Sequence, residues 1–255
     1  MLGAIIGDVI GSVYEHHPIK SEDFDLYDPV CTFTDDTVMT IAIASAILSG
    51  QNYAAAMKRY GRRYPGAGYG NQFFNWIFEE KVNPYNSWGN GAAMRVSPIG
   101  FAFSDVETVL REATRSAEVS HNHPEGLRGA QATAMAVFLA NRGADKADIR
   151  KEISQRFGYN LSKSLAEIRP SYRFDVSCQG TVPPALIAFF ESDDYEDAIR
   201  KAISLGGDSD TLACITGGIA QAYYKHIPAE MAQFVLARLP DEFVEVLEKF
   251  EENYL

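Results

Sequence analysis

Two long apolar segments of this sequence each begin with a short acidic motif. Residues 34–37 read Thr-Asp-Asp-Thr and open an almost uncharged run to residue 49, and residues 208–211 read Asp-Ser-Asp-Thr and open a similar run to residue 224. Apolar side chains occur all around both predicted helices, which is typical of helices enclosed by other helices. A chain with two such helices needs a helical core around them, and each acidic motif is then expected at a buried helix end.

Helical periodicity also dominates the rest of the chain. No strand-type alternation persists long enough to build a sheet, and the 255 residues suffice for one large domain. The sequence therefore predicts one compact all-α domain over residues 1–255. Residues 158–182 give the weakest pattern and predict a short helix followed by a loop. We predict helices over 3–15, 35–49, 53–64, 71–81, 105–117, 124–141, 145–157, 184–191, 195–205 and 208–224, followed by two amphipathic helices.

The first predicted helix carries Gly3, Gly7 and Gly11 on one face. Glycine lowers helix propensity, so three of them at a spacing of four residues need a structural reason. Close approach of another backbone gives that reason, and it places this helix inside a helical bundle.

Charge and cysteine content exclude several classes of protein. The formal net charge of −11 argues against a nucleic-acid binder and against an electrostatic membrane binder. Cys31, Cys178 and Cys214 are widely spaced, which predicts buried, reduced thiols in a cytoplasmic protein. No basic residue precedes the apolar start of the chain, so we expect no signal peptide. No uncharged run is long enough to predict a membrane span.

The acidic motifs have an ordinary interpretation and a functional one. Acidic residues in a first helical turn favour the positive end of the helix dipole, so each motif could simply cap its helix. If the two buried ends meet, however, four aspartates share one pocket. Two like charges about 4 Å apart repel by roughly 4 kcal/mol at an effective dielectric near 20. The flanking sequence offers no Lys or Arg as a partner, and an all-oxygen ligand set suits Mg²⁺ or Mn²⁺.

Two further acidic residues lie in the first helix. Glu15, near its end, is by itself compatible with an ordinary exposed glutamate. Asp8 interrupts an apolar stretch, and a buried aspartate needs partners to remain there. We expect Asp8 to cap or brace a neighbouring loop.

Five segments together resemble the ADP-ribosylglycohydrolase family. They are GAIIGDVIGSVYE at 3–15, FTDDTVMT at 33–40, SWGNGAAMRVSPIG at 87–100, SHNHPEGLRGAQATAMA at 120–136 and SLGGDSDTLACITGGIAQAYY at 204–224. The combination is specific, although each acidic motif alone would be weak. The first and third segments look closest to the branch that removes ADP-ribose from serine and degrades the polymer, and bacterial relatives acting on ADP-ribosyl-arginine share the same core motifs.

The resemblance implies a compact orthogonal helix bundle with a dinuclear Mg²⁺ or Mn²⁺ centre. It assigns one metal to Thr34, Asp35, Asp36 and Asp210, and the second to Asp208, Asp210 and Thr211, with Asp210 bridging. Glu15 matches the mobile glutamate of the family, which acts in catalysis or gates a metal. The catalytic residues are then Glu15, Asp36 and Asp208.

The resemblance also implies a substrate-binding loop. Gly89, Asn90 and Gly91 match the loop that lies along the substrate diphosphate, where glycine lets the backbone approach closely. Ser87 and Trp88 flank this loop, and Trp88 is a candidate to stack on adenine or else a core aromatic. His121 matches a residue that contacts the phosphates or the distal ribose. The roles of His16, His17 and His123 stay open: the first two line the mouth of the site or are merely solvated.

The implied function is metal-dependent hydrolysis of the glycosidic bond between ADP-ribose and a protein side chain, or within ADP-ribose polymer. Hydrolysis of free derivatives such as O-acetyl-ADP-ribose is one alternative, and a non-catalytic, crystallin-like member of the fold is another. Such crystallin-like proteins tend to lose metal ligands, whereas every ligand position is occupied here, which favours an enzyme. A metal-dependent phosphatase would need a histidine-rich site that the sequence lacks. We expect a monomer.

Overall fold

The computed structural model describes residues 1–81 and 83–255, and within them the chain forms α-helices with no strand. An isolated antiparallel bridge joins Gly89 to Ser177. The helices are α1 (Leu2–His16), α2 (Asp35–Ser49), α3 (Tyr53–Arg63), α4 (Asn71–Phe78), α5 (Gly91–Met94), α6 (Ser97–Ala102), α7 (Val106–Glu118), α8 (Pro124–Asn141), α9 (Lys146–Phe157), α10 (Leu165–Ile168), α11 (Cys178–Glu191), α12 (Tyr195–Ile203), α13 (Ser209–Tyr224), α14 (Ala229–Leu236) and α15 (Asp241–Tyr254).

The glycine face of α1 packs directly on the backbone of α13. A Cβ atom at Gly7 would lie 2.0 Å from the carbonyl oxygen of Ala213, and one at Gly11 would lie 2.6 Å from Cα of Asp210. No side chain fits in these gaps. The prediction of a close backbone approach is confirmed, and this approach places the acidic start of α13 beside the C-terminal part of α1.

Both apolar helices lie in the core, as predicted. Helix α2 starts at a Thr34 N-cap, whose side chain accepts a hydrogen bond from the Asp36 amide, and it ends at Gly50 in the left-handed conformation. Helix α13 follows a turn at Gly206, where φ is +61°. The Lys20 ammonium group holds this turn by donating to the carbonyl oxygens of Leu205 and Gly206.

Two predicted helix boundaries are wrong, and the other long helices agree to within two residues. The helix predicted over 71–81 ends at Phe78. Arg62 donates to the Ile77 carbonyl over 2.8 Å and Lys58 to the Glu79 carbonyl over 2.7 Å. These side chains replace the helical bonds at that end.

The helix predicted to begin at Pro184 begins six residues earlier, at Cys178. Ser177 caps it by accepting from the Gly180 amide over 3.0 Å. Pro184 lies inside the helix and cannot donate to the Gly180 carbonyl. The Tyr172 hydroxyl donates to that carbonyl instead over 3.0 Å, so the helix continues through the proline.

Sequence periodicity also missed α5 and α6, which are four and six residues long. Helices this short complete too few turns to show a periodic pattern. The three cysteines are buried and form no disulfide, in agreement with the sequence. Among the described residues, no helix combines the length and the apolar character needed to cross a bilayer.

Candidate active site

The two acidic motifs meet at one end of the α1–α13 pair. The Thr211 hydroxyl donates to Oδ2 of Asp36 over 3.2 Å, although the two residues lie 175 positions apart in the sequence. Beside this contact opens a cavity of about 820 Å³. Every site residue named from the sequence lines it: Glu15, Thr34, Asp35, Asp36, Ser87, Trp88, Gly89, Asn90, Gly91, His121, Asp208, Asp210 and Thr211.

Asp8 braces the loop that carries the first acidic motif. Its carboxylate accepts from the amide of Thr34 over 3.0 Å, the Thr34 hydroxyl over 2.7 Å and the Thr37 amide over 3.0 Å. The Thr37 hydroxyl also donates to it. Asp8 has no exposed surface, and its four bonds make its burial possible. The predicted bracing role is confirmed.

Two groups of carboxylates share one member. Oxygen atoms of Asp8, Asp36 and Asp210 lie within 4.8 Å of one another, and so do oxygen atoms of Glu15, Asp208 and Asp210. Asp210 belongs to both groups, as a ligand that bridges two metal ions would. Asp35 lies on the cavity wall but in neither group.

Burial and mutual repulsion raise the pKa values of these acids. Burial, followed by the charge of Asp8, raises the pKa of Asp36 well above its usual range. Burial and the charge of Asp208 do the same to the pKa of Asp210. The pKa of Asp35 rises to about 8, and that of Glu15 also rises, first through burial and then through Asp208. Full ionisation of these carboxylates is therefore strongly unfavourable unless a cation is bound.

The donor set fits hard divalent cations. Oδ1 of Asp36 is buried and has no hydrogen-bond partner among the described residues. A buried, unpaired carboxylate oxygen costs free energy unless something coordinates it. The surrounding donors are carboxylate and hydroxyl oxygens, the ligands that Mg²⁺ and Mn²⁺ prefer. The residues present therefore fit the metal centre implied by the sequence.

The glycine-rich loop connects the acidic cluster to the other wall of the cavity. The Asn90 side-chain amide donates to Oδ2 of Asp208 over 2.7 Å and to the Thr181 hydroxyl over 3.1 Å. It therefore helps to orient the Asp208 carboxylate. The Asn90 backbone amide donates to the Val176 carbonyl over 2.7 Å, which fixes the loop against the segment before α11. No pattern in the sequence indicated the Asn90–Asp208 bond.

Trp88 is a surface residue at the cavity, not a core aromatic. Its side chain is 52% exposed, and its ring meets His123 edge-on at 6.1 Å between centroids. Ser87 accepts a hydrogen bond from the Gly89 amide over 3.1 Å and so shapes the start of the loop. An exposed, partly supported indole is free to stack on a planar ligand.

The histidines divide into different roles. His123 caps α8, because its Nδ1 accepts from the Glu125 amide over 3.1 Å. His16 and His17 are exposed and line the cavity, and Nε2 of His16 lies 3.6 Å from a carboxylate oxygen of Glu15. His121 is buried behind the glycine-rich loop.

Known proteins resemble this chain over its whole length. A family model described as ADP-ribosylglycohydrolase matches residues 1–254. The chain is 26% identical to ADP-ribosylhydrolase ARH3 of Mus musculus over 99% of this chain and 87% of the relative. It is 26% identical to ADP-ribosylarginine hydrolase Tri1 of Pseudomonas putida (strain GB-1) over 88% of this chain and 69% of the relative.

A solved structure described as "ADP-ribosylglycohydrolase-related protein complex" has the same fold. It aligns with a TM-score of 0.77 at 24% identity, over 100% of this chain and 97% of that one. The all-α fold and the acidic cavity thus define a class of ADP-ribosyl hydrolases. The chain belongs to the ADP-ribosylglycohydrolase family.

Proposed function

We propose that this protein removes ADP-ribose from protein side chains, or shortens ADP-ribose polymer, by hydrolysing the bond at the anomeric ribose carbon. The observation that carries the proposal is the convergence of both acidic motifs on one cavity, with Asp210 common to two carboxylate groups. Relatives named ADP-ribosylhydrolase and ADP-ribosylarginine hydrolase support the reaction class. We infer a monomeric, single-domain enzyme. Its unpaired thiols support a reducing compartment, the cytoplasm.

Two divalent cations, Mg²⁺ or Mn²⁺, complete the proposed site. Thr34, Asp35, Asp36 and Asp210 would hold one, and Asp208, Asp210 and Thr211 the other. When bound, the cations would polarise the ribose hydroxyls and lower the pKa of water. Asn90 keeps Asp208 in a fixed orientation through their 2.7 Å bond, and Asp8 keeps the first motif in place through Thr34 and Thr37.

Glu15 is the proposed general base. It lines the cavity, its oxygen lies near those of Asp208 and Asp210, and it remains partly exposed, at 26% of its side chain. A carboxylate with a raised pKa accepts a proton more readily than an ordinary one. The carboxylates carry more negative charge than two divalent cations would neutralise. This remaining negative charge stabilises the positive ribose carbon of an oxocarbenium-like transition state.

The glycine-rich loop is proposed to hold the rest of the substrate. Gly89 and Gly91 allow the diphosphate to approach the backbone, and Ser87 and His121 lie beside them. Trp88 is exposed at the cavity, where an adenine ring could stack on it.

Hydrolysis of free ADP-ribose derivatives is the second candidate function. The open, partly aromatic cavity wall would accept O-acetyl-ADP-ribose as well as a modified protein. A binding protein without activity is disfavoured because every proposed ligand position keeps an oxygen donor.

A panel of linkages tests the proposal. Serine-, arginine- and aspartate-linked ADP-ribose, poly-ADP-ribose and O-acetyl-ADP-ribose are each incubated with the protein in Mg²⁺, in Mn²⁺ and in EDTA. We expect release of ADP-ribose from at least one protein-linked substrate or the polymer, with loss in EDTA. Activity on O-acetyl-ADP-ribose alone would favour the second candidate, and no release from any substrate would refute both.

A further inference from the structure

A buried arginine lies behind the glycine-rich loop. Arg95 has no exposed surface. One of its terminal nitrogens, Nη2, donates to the Ser116 carbonyl over 2.9 Å and to Oγ of Ser120 over 3.1 Å. Among the described residues, no carboxylate forms an ion pair with it. Neither the family resemblance nor the proposed reaction gives this residue a role.

The Ser120 hydroxyl contacts both Arg95 and His121. Oγ of Ser120 lies 2.8 Å from Nδ1 of His121, and both side chains are buried. A guanidinium group can only donate hydrogen bonds. Oγ of Ser120 is therefore the acceptor towards Arg95, and its own hydrogen is available for His121.

A hydrogen bond donated from Nδ1 of His121 to Oγ of Ser120 would be unfavourable. If Nδ1 of His121 carried a proton and donated to Ser120, the hydroxyl hydrogen of Ser120 would need another acceptor. Among the described residues, Ser120 Oγ has no partner other than Arg95 and His121, and Ser120 has no exposed surface. An unpaired buried donor carries the full cost of its desolvation.

The surroundings of His121 favour a neutral imidazole, in which the two ring nitrogens differ. Burial, followed by the nearby charge of Arg95, lowers the pKa of His121 well below its usual value. In a neutral imidazole one nitrogen donates and the other accepts.

The other ring nitrogen of His121 faces the loop. A Cβ atom added at Gly91 would lie 3.2 Å from Nε2, and one added at Gly89 would lie 3.4 Å from it. His121 lines the cavity, and no hydrogen bond to Nε2 is formed by the described residues. A ligand lying along this loop would meet Nε2 first.

We propose that Arg95 and Ser120 are positioning residues that hold neutral His121 in the tautomer with its proton on Nε2. The ring then presents a fixed hydrogen-bond donor to a phosphate or hydroxyl oxygen of a ligand beside Gly89 and Gly91. The identity of that ligand rests on the proposed function, but the tautomer does not. The carboxylate cluster is proposed to bind cations, whereas this relay would provide a neutral donor for an anionic group.

The nitrogen spectrum of the histidine rings in the free protein tests the relay. Protein labelled with ¹⁵N in histidine is examined by long-range ¹H–¹⁵N correlation, and His121 is assigned from the spectrum of His121→Gln. We expect a protonated Nε2 and an unprotonated Nδ1. A protonated Nδ1, or a doubly protonated ring at neutral pH, would overturn the proposal without any further variant.

Ser120→Ala removes the relay, and Ser116→Ala is the matched control. Ser116 is buried like Ser120, and its hydroxyl donates to the Ala113 carbonyl. The bond from Arg95 to Ser116 goes to the backbone carbonyl, which the alanine variant keeps. We expect Ser120→Ala to lower the Nε2-protonated fraction and to weaken ADP-ribose binding roughly two- to tenfold, because affinity scales with the fraction of competent protein. Ser116→Ala should change neither.

The outcomes separate the relay from the proposed function. Calorimetry with ADP-ribose on the wild type tests the function, and the ring spectrum of the free protein tests the relay. Wild-type protein that has the Nε2 proton but fails to bind ADP-ribose would refute the function alone. If Ser120→Ala leaves both the tautomer and the affinity unchanged, Arg95 and Ser120 do not position His121.

Discussion

The Thr211 hydroxyl lies 3.2 Å from Oδ2 of Asp36. This contact joins the first turn of α13 to the first turn of α2, which begin 174 residues apart. Helix α1 holds both partners in place: its three glycines let the α13 backbone approach closely, and its Asp8 binds Thr34 and Thr37 at the start of α2. Residues of α1 that pack against its neighbours therefore bring the acidic starts of α2 and α13 together.

Asp210→Asn should abolish the response of the protein to divalent cations. Asp210 belongs to both carboxylate groups, so the substitution weakens both proposed metal positions. In wild-type protein, a metal concentration about a thousandfold above the dissociation constant should raise the free energy of unfolding by about 4 kcal/mol. Thermal unfolding in Mg²⁺, Mn²⁺ and EDTA measures this. Asp193→Asn, an exposed position, should behave as wild type. An equal metal response in all three proteins would contradict the assignment.

Metal-free protein should lose stability as the pH rises from about 4 to about 8. The folded state raises the pKa of Asp35 from 3.8 to about 8 and also raises that of Asp36. Folded protein therefore binds protons that the unfolded chain has released, and the free energy of unfolding falls across this window. Urea unfolding in EDTA at several pH values measures it. Stability that rises through the window would mean that the acids are stabilised in their charged form without metal.

Glu15→Gln should separate catalysis from binding. The amide has nearly the shape of the carboxylate but is not a base, so turnover should fall by about 10²–10⁴-fold. ADP-ribose should still bind, and the metal assigned to Asp36 and Asp210 should remain. Calorimetry and a hydrolysis assay on the best substrate measure the two effects. Hydrolysis at the wild-type rate would remove Glu15 from the mechanism.

Gly7→Ala should destabilise the protein by about 3 kcal/mol, the upper end of the roughly 1–3 kcal/mol that overpacking a tight core typically costs. The added Cβ would lie 2.0 Å from the Ala213 carbonyl oxygen, a backbone atom that can move only with α13. Gly66→Ala is the control, because nothing lies within 4 Å of its added Cβ. Chemical denaturation compares them. Equal stability of the two variants would contradict the close packing of α1 on α13.

The features that sequence revealed are those with a local pattern. Apolar periodicity located α2 and α13, glycine spacing indicated the α1–α13 contact, and acidic first turns indicated the cavity. Each of these signals lies within one helix, so it can be read before any partner is known.

What the sequence did not reveal depends on contacts between distant segments. Helix α11 continues through Pro183 and Pro184, and the Tyr172 hydroxyl binds the Gly180 carbonyl that Pro184 leaves without its helical donor. Asn90 orients Asp208 from another loop. Arg95, which lies between α5 and α6, reaches Ser120 in the turn after α7. None of these partners has a fixed spacing in the chain, so no local pattern could identify them.

Diffraction from crystals soaked in Mn²⁺ tests the central claim most directly. Anomalous scattering locates manganese without reference to the protein coordinates. We expect two peaks about 4–5 Å apart in the cavity, close to the roughly 3.5–4 Å of cooperating metal pairs. One should lie beside Asp36, one beside Asp208, and both should touch Asp210. A saturated crystal with no peak at these carboxylates, or with peaks only at surface acids, would contradict the account.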